Sequence, residues 1–221
     1  MLQALAALAA LPAIVQAPPA PPPVHGIAVV RDALPLHDRP NGSLGAWVGV
    51  RTEFGSRRAL SVAARRGPWL GVIATERPNG RLAWIRRDSS ALTLRRTAYS
   101  LHADLSERRL ELRRGGRTLR RVAVGIGAPG SATPTGHFAV TDKLDGRNYS
   151  SSYGCCILAL NGHQPHLPAG WQGGDRLAIH GTSMVSTIGR AVSAGCLRAS
   201  DADMRALVAR VPLGTPLFIR G

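Results

Sequence analysis

Two residues carry the reactive potential of this chain. Cys196 lies in Ser193-Ala194-Gly195-Cys196-Leu197-Arg198, and His180 precedes it by sixteen residues, in Leu177-Ala178-Ile179-His180-Gly181-Thr182. A thiol is the strongest nucleophile a protein offers near neutral pH, provided a base can take its proton. The apolar run Leu177 to Ile179 reads as a buried strand, which sets His180 at a strand end. Gly195 marks a tight turn just before the cysteine. A strand-end imidazole and a turn thiol on one sheet would form a nucleophile–base pair suited to acyl transfer through a thioester. Gly195 would let the backbone come close to a substrate, so that the amides of Gly195 and Cys196 face a developing oxyanion. Arg198 would either pair with a substrate carboxylate or brace the turn. An exposed, activated Cys196 would alkylate quickly at neutral pH.

The remaining reactive side chains suggest less. His163-x-x-His166 with Cys155, Cys156 and His180 could be drawn as a zinc site, but Pro165 separates the two histidines and no C-x-x-C pair is present. No metal is expected. Cys155 and Cys156 are neighbours, and on a strand they would point to opposite faces, so they read as small buried apolar residues rather than a bonded pair. His25, His37, His102 and His137 receive no role.

The elements that must hold the pair are mostly strands. Between residues 27 and 92 short apolar runs (Ile27–Val30, Ala46–Val50, Ala59–Val62, Trp69–Ile73, Leu82–Ile85) alternate with turn signals such as Arg39-Pro40-Asn41-Gly42 and Arg77-Pro78-Asn79-Gly80. This spacing predicts a small antiparallel barrel with Trp47, Trp69 and Trp84 mainly in its core. From Thr97 onward, Leu110 and Leu112 alternate with charges before Gly115-Gly116, which predicts a hairpin with one arginine-rich face. Thr133-Pro134-Thr135-Gly136 reads as a turn that feeds Phe138–Val140 into a sheet. Asp142 to Ser152 reads as a polar loop over the site, and Tyr153 to Leu160 as a buried strand. One helix is predicted after Ser200, capped with Asp203. It carries Met204, Leu207, Val208 and Val211 on one face and stops at Pro212. Leu217–Ile219 closes the chain as a strand.

Composition bounds the partners. The chain has 221 residues and a net charge of +15, and Lys143 is the sole lysine among 28 basic residues. Residues 31–121 hold 20 arginines against 8 acids, whereas 122–221 hold 8 basic residues against 5 acids. Such a surface suits an anionic polymer, and no nucleic-acid-binding motif accompanies it. Residues 1–17 resemble a signal peptide's apolar core, although no basic start precedes it, and Pro18 to Pro23 reads as an extended spacer. Export is expected, with membrane contact only through that N-terminal segment.

His180-Gly181-Thr182, Ser193-x-Gly195-Cys196-Leu197-Arg198 and Thr133-Pro134-Thr135-Gly136-x-Phe138 together resemble the signature of the L,D-transpeptidases, the YkuD-type peptidoglycan cross-linkers, over about residues 97–220. Many members place a second histidine where this chain has Ala194. The resemblance implies a mainly β fold, with a β-sandwich catalytic domain over 97–221 carrying one or two helices. The stretch 25–93 looks like a bacterial SH3-like domain, preceded at 1–24 by the signal-like segment and linker. It further implies that Cys196 and His180 are catalytic with Gly195, and that Gly181, Thr182, Ser193 and Arg198 shape the substrate pocket. The implied substrate is a peptidoglycan tetrapeptide stem, which loses its terminal D-alanine and is cross-linked without a cofactor. Water as acceptor would make the chain an L,D-carboxypeptidase, and a degenerate site would leave a non-catalytic wall-binding protein.

Overall fold

The computed structural model describes residues 22–221; the signal-like run and the start of the proline spacer lie outside the described residues. Seven strands form the first sheet: β1 (His25–Val30), β2 (Leu34–His37), β3 (Leu44–Val48), β4 (Ala59–Arg66), β5 (Trp69–Ile73), β6 (Ala83–Arg86) and β7 (Leu92–Thr97). They pair antiparallel in the order β3-β2-β6-β5-β4-β1-β7. Alternation builds the core: Ala28 and Val30 of β1 turn inward with Leu34, Leu36, Leu60, Leu70, Val72 and Ile85. Ile27 and Val29 face the other way. No ladder joins β3 to β7 among the described residues, so the expected barrel is a curled sheet with two free edges. Trp69 and Trp84 are buried as expected, but Trp47 is 61% exposed. It sits on the edge strand β3, where only one neighbour covers it. The sequence pattern missed β2 and β7. Pro35 inside β2 argues against a strand, and β7 carries an exposed Leu94-Arg95-Arg96 face instead of an apolar run.

The second half contains β8 (Tyr99–Asp104), β9 (Arg109–Arg114), β10 (Arg117–Ala123), β11 (Ile126–Gly127), β12 (Gly136–Asp145), β13 (Cys156–His163), β14 (Arg176–His180), β15 (Ala191–Ser193), β16 (Leu197–Arg198), the helix α1 (Asp201–Arg210) and β17 (Pro216–Arg220). Eight of these strands form a mixed sheet in the order β10-β9-β8-β17-β12-β13-β14-β16, and β11 and β15 pair separately in parallel. The β9–β10 hairpin turns at Gly115 and Gly116, whose φ values of 56° and 82° suit a tight two-residue turn. Helix α1 begins where its cap pattern predicts: the Asp203 amide donates to Ser200 Oγ at 3.1 Å, and the Ser200 hydroxyl donates to Asp203 Oδ2 at 2.6 Å. Met204 and Leu207 are fully buried in the core with Leu158, Leu160, Ile179 and Leu197. Each such side chain contributes on the order of 1.5–3 kcal/mol by leaving water. The helix therefore clamps the strands that carry His180 and Cys196.

Two loop expectations need correction. Asp142–Asp145 extends β12, and the rest of the expected polar loop consists of short 3-10 turns at Gly146–Asn148 and Ser151–Tyr153. Asp142 is fully buried, and its carboxylate accepts a hydrogen bond from Thr52 of the first half. Cys155 and Cys156 are half-buried and disulfide-bonded to each other. The strand starts only at Cys156, so the pleat that would have parted the two side chains does not span them.

The two halves are locked together beside β13 and β14. Asn79 Nδ2 donates to His163 O at 2.6 Å, and the His163 amide returns a bond to Asn79 Oδ1 at 2.9 Å. His163 Nε2 lies 2.9 Å from Thr75 O, and its Nδ1 lies 2.8 Å from Asp175 Oδ2. Arg176 of β14 pairs with Glu53 and lies over the Phe54 ring, 5.6 Å from its centre. The first half thus reaches the base of the strand that ends in His180. Among the described residues, no helix is long and apolar enough to cross a membrane.

Candidate active site

Strand register brings the reactive residues onto one face. β14 and β16 run parallel, with Ile179 opposite Leu197 and His180 opposite Arg198. Cys196 lies immediately before β16. Cys196, His180 and Arg198 accordingly line one narrow cleft of about 60 Å³ with Tyr153, Gln164 and Trp171. A second cleft of about 230 Å³ adjoins the first at Cys196, walled by Phe54, Tyr149, Ile157 and Ala178. Cys196 and Tyr153 belong to both.

His180 is buried, and its Nδ1 lies 2.6 Å from Gly181 O. A carbonyl oxygen only accepts, so Nδ1 carries the proton and Nε2 keeps its lone pair. The Tyr153 ring meets the imidazole edge-on, with centres 4.8 Å apart. Burial lowers the His180 pKa to about 4; the Gly181 bond acts the other way, and the Arg198 charge adds to the lowering. Burial likewise pushes the Cys196 thiol up, against smaller opposing effects of the Ala178 backbone and Arg198. At neutral pH the resting site therefore holds a thiol and a neutral imidazole. Where the sequence suggested an exposed, activated thiol, the thiol is half-buried, with Sγ 4.0 Å from Arg176 O, and its burial outweighs the opposing Arg198 charge.

The cysteine turn is held from several sides. Gly195 has φ of +116°, a conformation that favours glycine. Thr133 Oγ1 donates to Gly195 O at 2.8 Å and accepts from the Gly127 amide at 2.9 Å. The Thr-Pro-Thr-Gly turn therefore supports the nucleophile as well as starting β12. Ser193 Oγ donates to Cys196 O at 2.7 Å and accepts from the Gly195 amide at 3.1 Å. That bond engages the Gly195 amide, which the sequence suggested as an oxyanion donor, within the turn itself. Gln164 is buried, and its Nε2 lies 3.1 Å from each of Ser131 O, Ala132 O and Ala194 O.

Gly181 and Thr182 are not among the residues that line the two clefts. Gly181 supplies the carbonyl that fixes the His180 tautomer, and its amide donates to Cys156 O at 3.0 Å. Thr182 Oγ1 accepts from the Met184 amide at 3.1 Å. Arg198 lines the cleft, has no acidic partner among the described residues, and keeps a buried, unpartnered Nε. Ala194, where many family members have a histidine, adds only its methyl group and carbonyl.

Sequence reasoning missed Tyr153, Gln164, Arg176, Trp171 and Phe54. Tyr153 was read as a strand residue, and Phe54 lies in the half of the chain remote from the motifs. Gln164 offered one signal, a polar residue directly after an apolar strand. Nothing in the sequence tied it to the Cys196 turn.

Comparison with known proteins agrees with the geometry. The family model described as the YkuD L,D-transpeptidase catalytic domain matches residues 98–219. YkuD of Bacillus subtilis, which carries an L,D-transpeptidase name, is 29% identical over 121 residues, covering 55% of this chain and 65% of that protein. The corresponding protein of Bacillus licheniformis is 30% identical over the same length and shares. The chain thus spans just under two-thirds of the length of these curated relatives. L,D-transpeptidase 3 of Mycobacterium tuberculosis superposes with a TM-score of 0.47 at 16% identity, covering 87% of this chain and 99% of that one, a likeness too weak to carry weight alone.

Proposed function

The chain belongs to the YkuD family of L,D-transpeptidase catalytic domains, and on that premise we propose that it is an exported peptidoglycan L,D-transpeptidase working through a Cys196 thioester. The observation that carries this reading is the His180 tautomer. With Nδ1–H held by Gly181 O, Nε2 is the free base in the cleft that also contains the thiol. The Cys196 proton moves to Nε2 as sulfur bonds to the carbonyl carbon of the third stem residue. The amide C–N bond then breaks, and the leaving D-alanine amine takes the proton from Nε2. An amine of a second stem next loses its proton to Nε2 and attacks the thioester, and the thiol is restored. Because both partners rest uncharged, proton transfer accompanies attack.

Arg198, cationic and unpaired in the cleft, suits the carboxylate of the stem's terminal residue. An oxyanion would draw on the Cys196 amide, since the Gly195 amide is already engaged. Two clefts meeting at one thiol favour two peptide substrates over water as acceptor, and hence the transpeptidase over the carboxypeptidase. The Cys155–Cys156 disulfide fits an oxidising compartment and so supports export. The SH3-like reading of residues 25–93 remains part of this proposal, as a module whose Phe54 walls the second cleft.

The test is incubation of a purified disaccharide-tetrapeptide with the full chain, followed by mass spectrometry of the products. Loss of D-alanine with a cross-linked dimer is expected, and neither should form with Cys196→Ala. Loss of D-alanine without a dimer would replace the proposal with the carboxypeptidase, and no change in the stem would leave the wall-binding alternative.

A further inference from the structure

A cavity larger than either cleft lies away from Cys196. A groove of about 500 Å³ runs between the two halves of the molecule and shares no lining residue with either catalytic cleft. Its charged lining is entirely arginine: Arg31, Arg57, Arg95, Arg96 and Arg114. All five are exposed, and none forms an ion pair among the described residues. Elsewhere among the described residues, Arg58, Arg86, Arg113, Arg120, Arg147 and Arg220 each lie within 2.8 Å of a carboxylate oxygen, while others such as Arg81 and Arg87 are unpaired but line no shared groove.

Strand register places part of the cluster. The outward side of β1 carries Ile27, Val29 and then Arg31, while Arg95 of β7 stands opposite Ile27 and Ala59 of β4 opposite Val29. Leu213, just past α1, faces this surface, and the neighbouring Gly214 packs close to Ile27 and Ala59. Arg114 closes the far end, over the Tyr99 ring at 5.5 Å. The floor is therefore apolar and the rim cationic.

We propose that this groove binds an anionic polymer chain bearing repeated phosphates. Five uncompensated guanidinium groups repel one another, and their field concentrates anions in the groove between them. Guanidinium groups grip phosphate through paired N–H donors and keep their charge at any physiological pH. Arg31 lies four residues along β1 from the position opposite Arg95, a span of about 13 Å at the rise of a strand. The five cations of the groove exceed the charge that one phosphate can neutralise, whereas successive phosphates of a chain can match them. The apolar floor suits the uncharged polyol or sugar units between them. The site would hold the enzyme on a polymer while leaving the catalytic clefts open.

The experiment is a calorimetric titration of the full chain with a defined-length poly(glycerol phosphate), at low and at physiological salt. The pair Arg95→Gln/Arg96→Gln is expected to weaken binding tenfold or more. Arg81→Gln/Arg87→Gln removes the same charge from exposed arginines outside the groove and should change it less than twofold. Equal losses in the two pairs would show attraction to net charge alone and overturn the proposal. So would displacement of the polymer by inorganic phosphate at equal phosphate concentration, which would make this a single-anion site. Tighter binding to phosphatidylglycerol vesicles than to the polymer would assign the groove to a membrane surface and also overturn it. Cys196→Ala should leave polymer affinity unchanged, so the groove is tested independently of the thiol chemistry.

Discussion

Replacing Gly195 with alanine is the most demanding test of how the nucleophile is held. At φ of +116° a side chain strains the backbone, and the new Cβ would overlap Gln164 Nε2. That nitrogen cannot simply swing away, because Gln164 is buried and its amide lies 3.1 Å from three carbonyl oxygens. Strain at such a backbone position costs about 1–3 kcal/mol, and leaving a buried polar group unsatisfied costs a further ~1–3 kcal/mol. Gly195→Ala should therefore destabilise the fold by roughly 2–6 kcal/mol in urea denaturation. Because Cys196 follows directly, a shift of about 1 Å in the turn should lower turnover on the order of 100-fold. The paired variant Gly195→Ala/Gln164→Ala removes the overlap, so its cost should fall below the sum of the two single changes. A loss under about 1 kcal/mol for Gly195→Ala, with strictly additive costs in the pair, would refute this account of the turn.

Three further outcomes follow from the titrating groups. The unfolded chain protonates His180 near its ordinary value of 6.5, whereas the folded chain resists until about pH 4. Stability present above pH 6.5 is therefore lost as pH falls toward 4, by about 3 kcal/mol from this residue; His180→Gln should flatten the urea-denaturation profile across that window, and an unchanged slope would contradict the burial. Alkylation of Cys196 by iodoacetamide should climb steadily from pH 6 to 8, because the thiol is raised, not lowered, by its surroundings; a rate plateau at acidic pH would reveal a resting thiolate–imidazolium pair instead. Mass spectrometry after alkylation should find one modified cysteine in the native protein and three after reduction and unfolding, since Cys155 and Cys156 are bonded to each other; three without reductant would refute the disulfide.

Much of this architecture was legible because local chemistry and tertiary packing agree. The capping pair Ser200 and Asp203, the 3.6-residue apolar stripe of α1, the Gly115-Gly116 hairpin and the Leu177–Ile179 strand all form where their residues predict. The strands β2 and β7 were hidden because proline and arginine occupy positions that packing alone makes extended. Cys196, His180 and Arg198, singled out by type and spacing, line one cleft. Their ionisation was not legible: burial sets it, and burial here comes from residues as distant in sequence as Tyr153, Gln164 and Phe54. The sequence also showed where the positive charge is concentrated, but only the packing of β1, β4, β7 and β9 brings five of those arginines to one groove.

The central claim is that Cys196 carries the stem as a thioester. It is tested most directly by intact-mass and peptide-mapping mass spectrometry of the protein quenched in acid during turnover of a tetrapeptide stem. The account predicts an adduct on the Cys196 peptide with the mass of the stem lacking its terminal D-alanine, and none on Cys196→Ala. Turnover by Cys196→Ala, or turnover by the native protein with the adduct on any other residue, would contradict it.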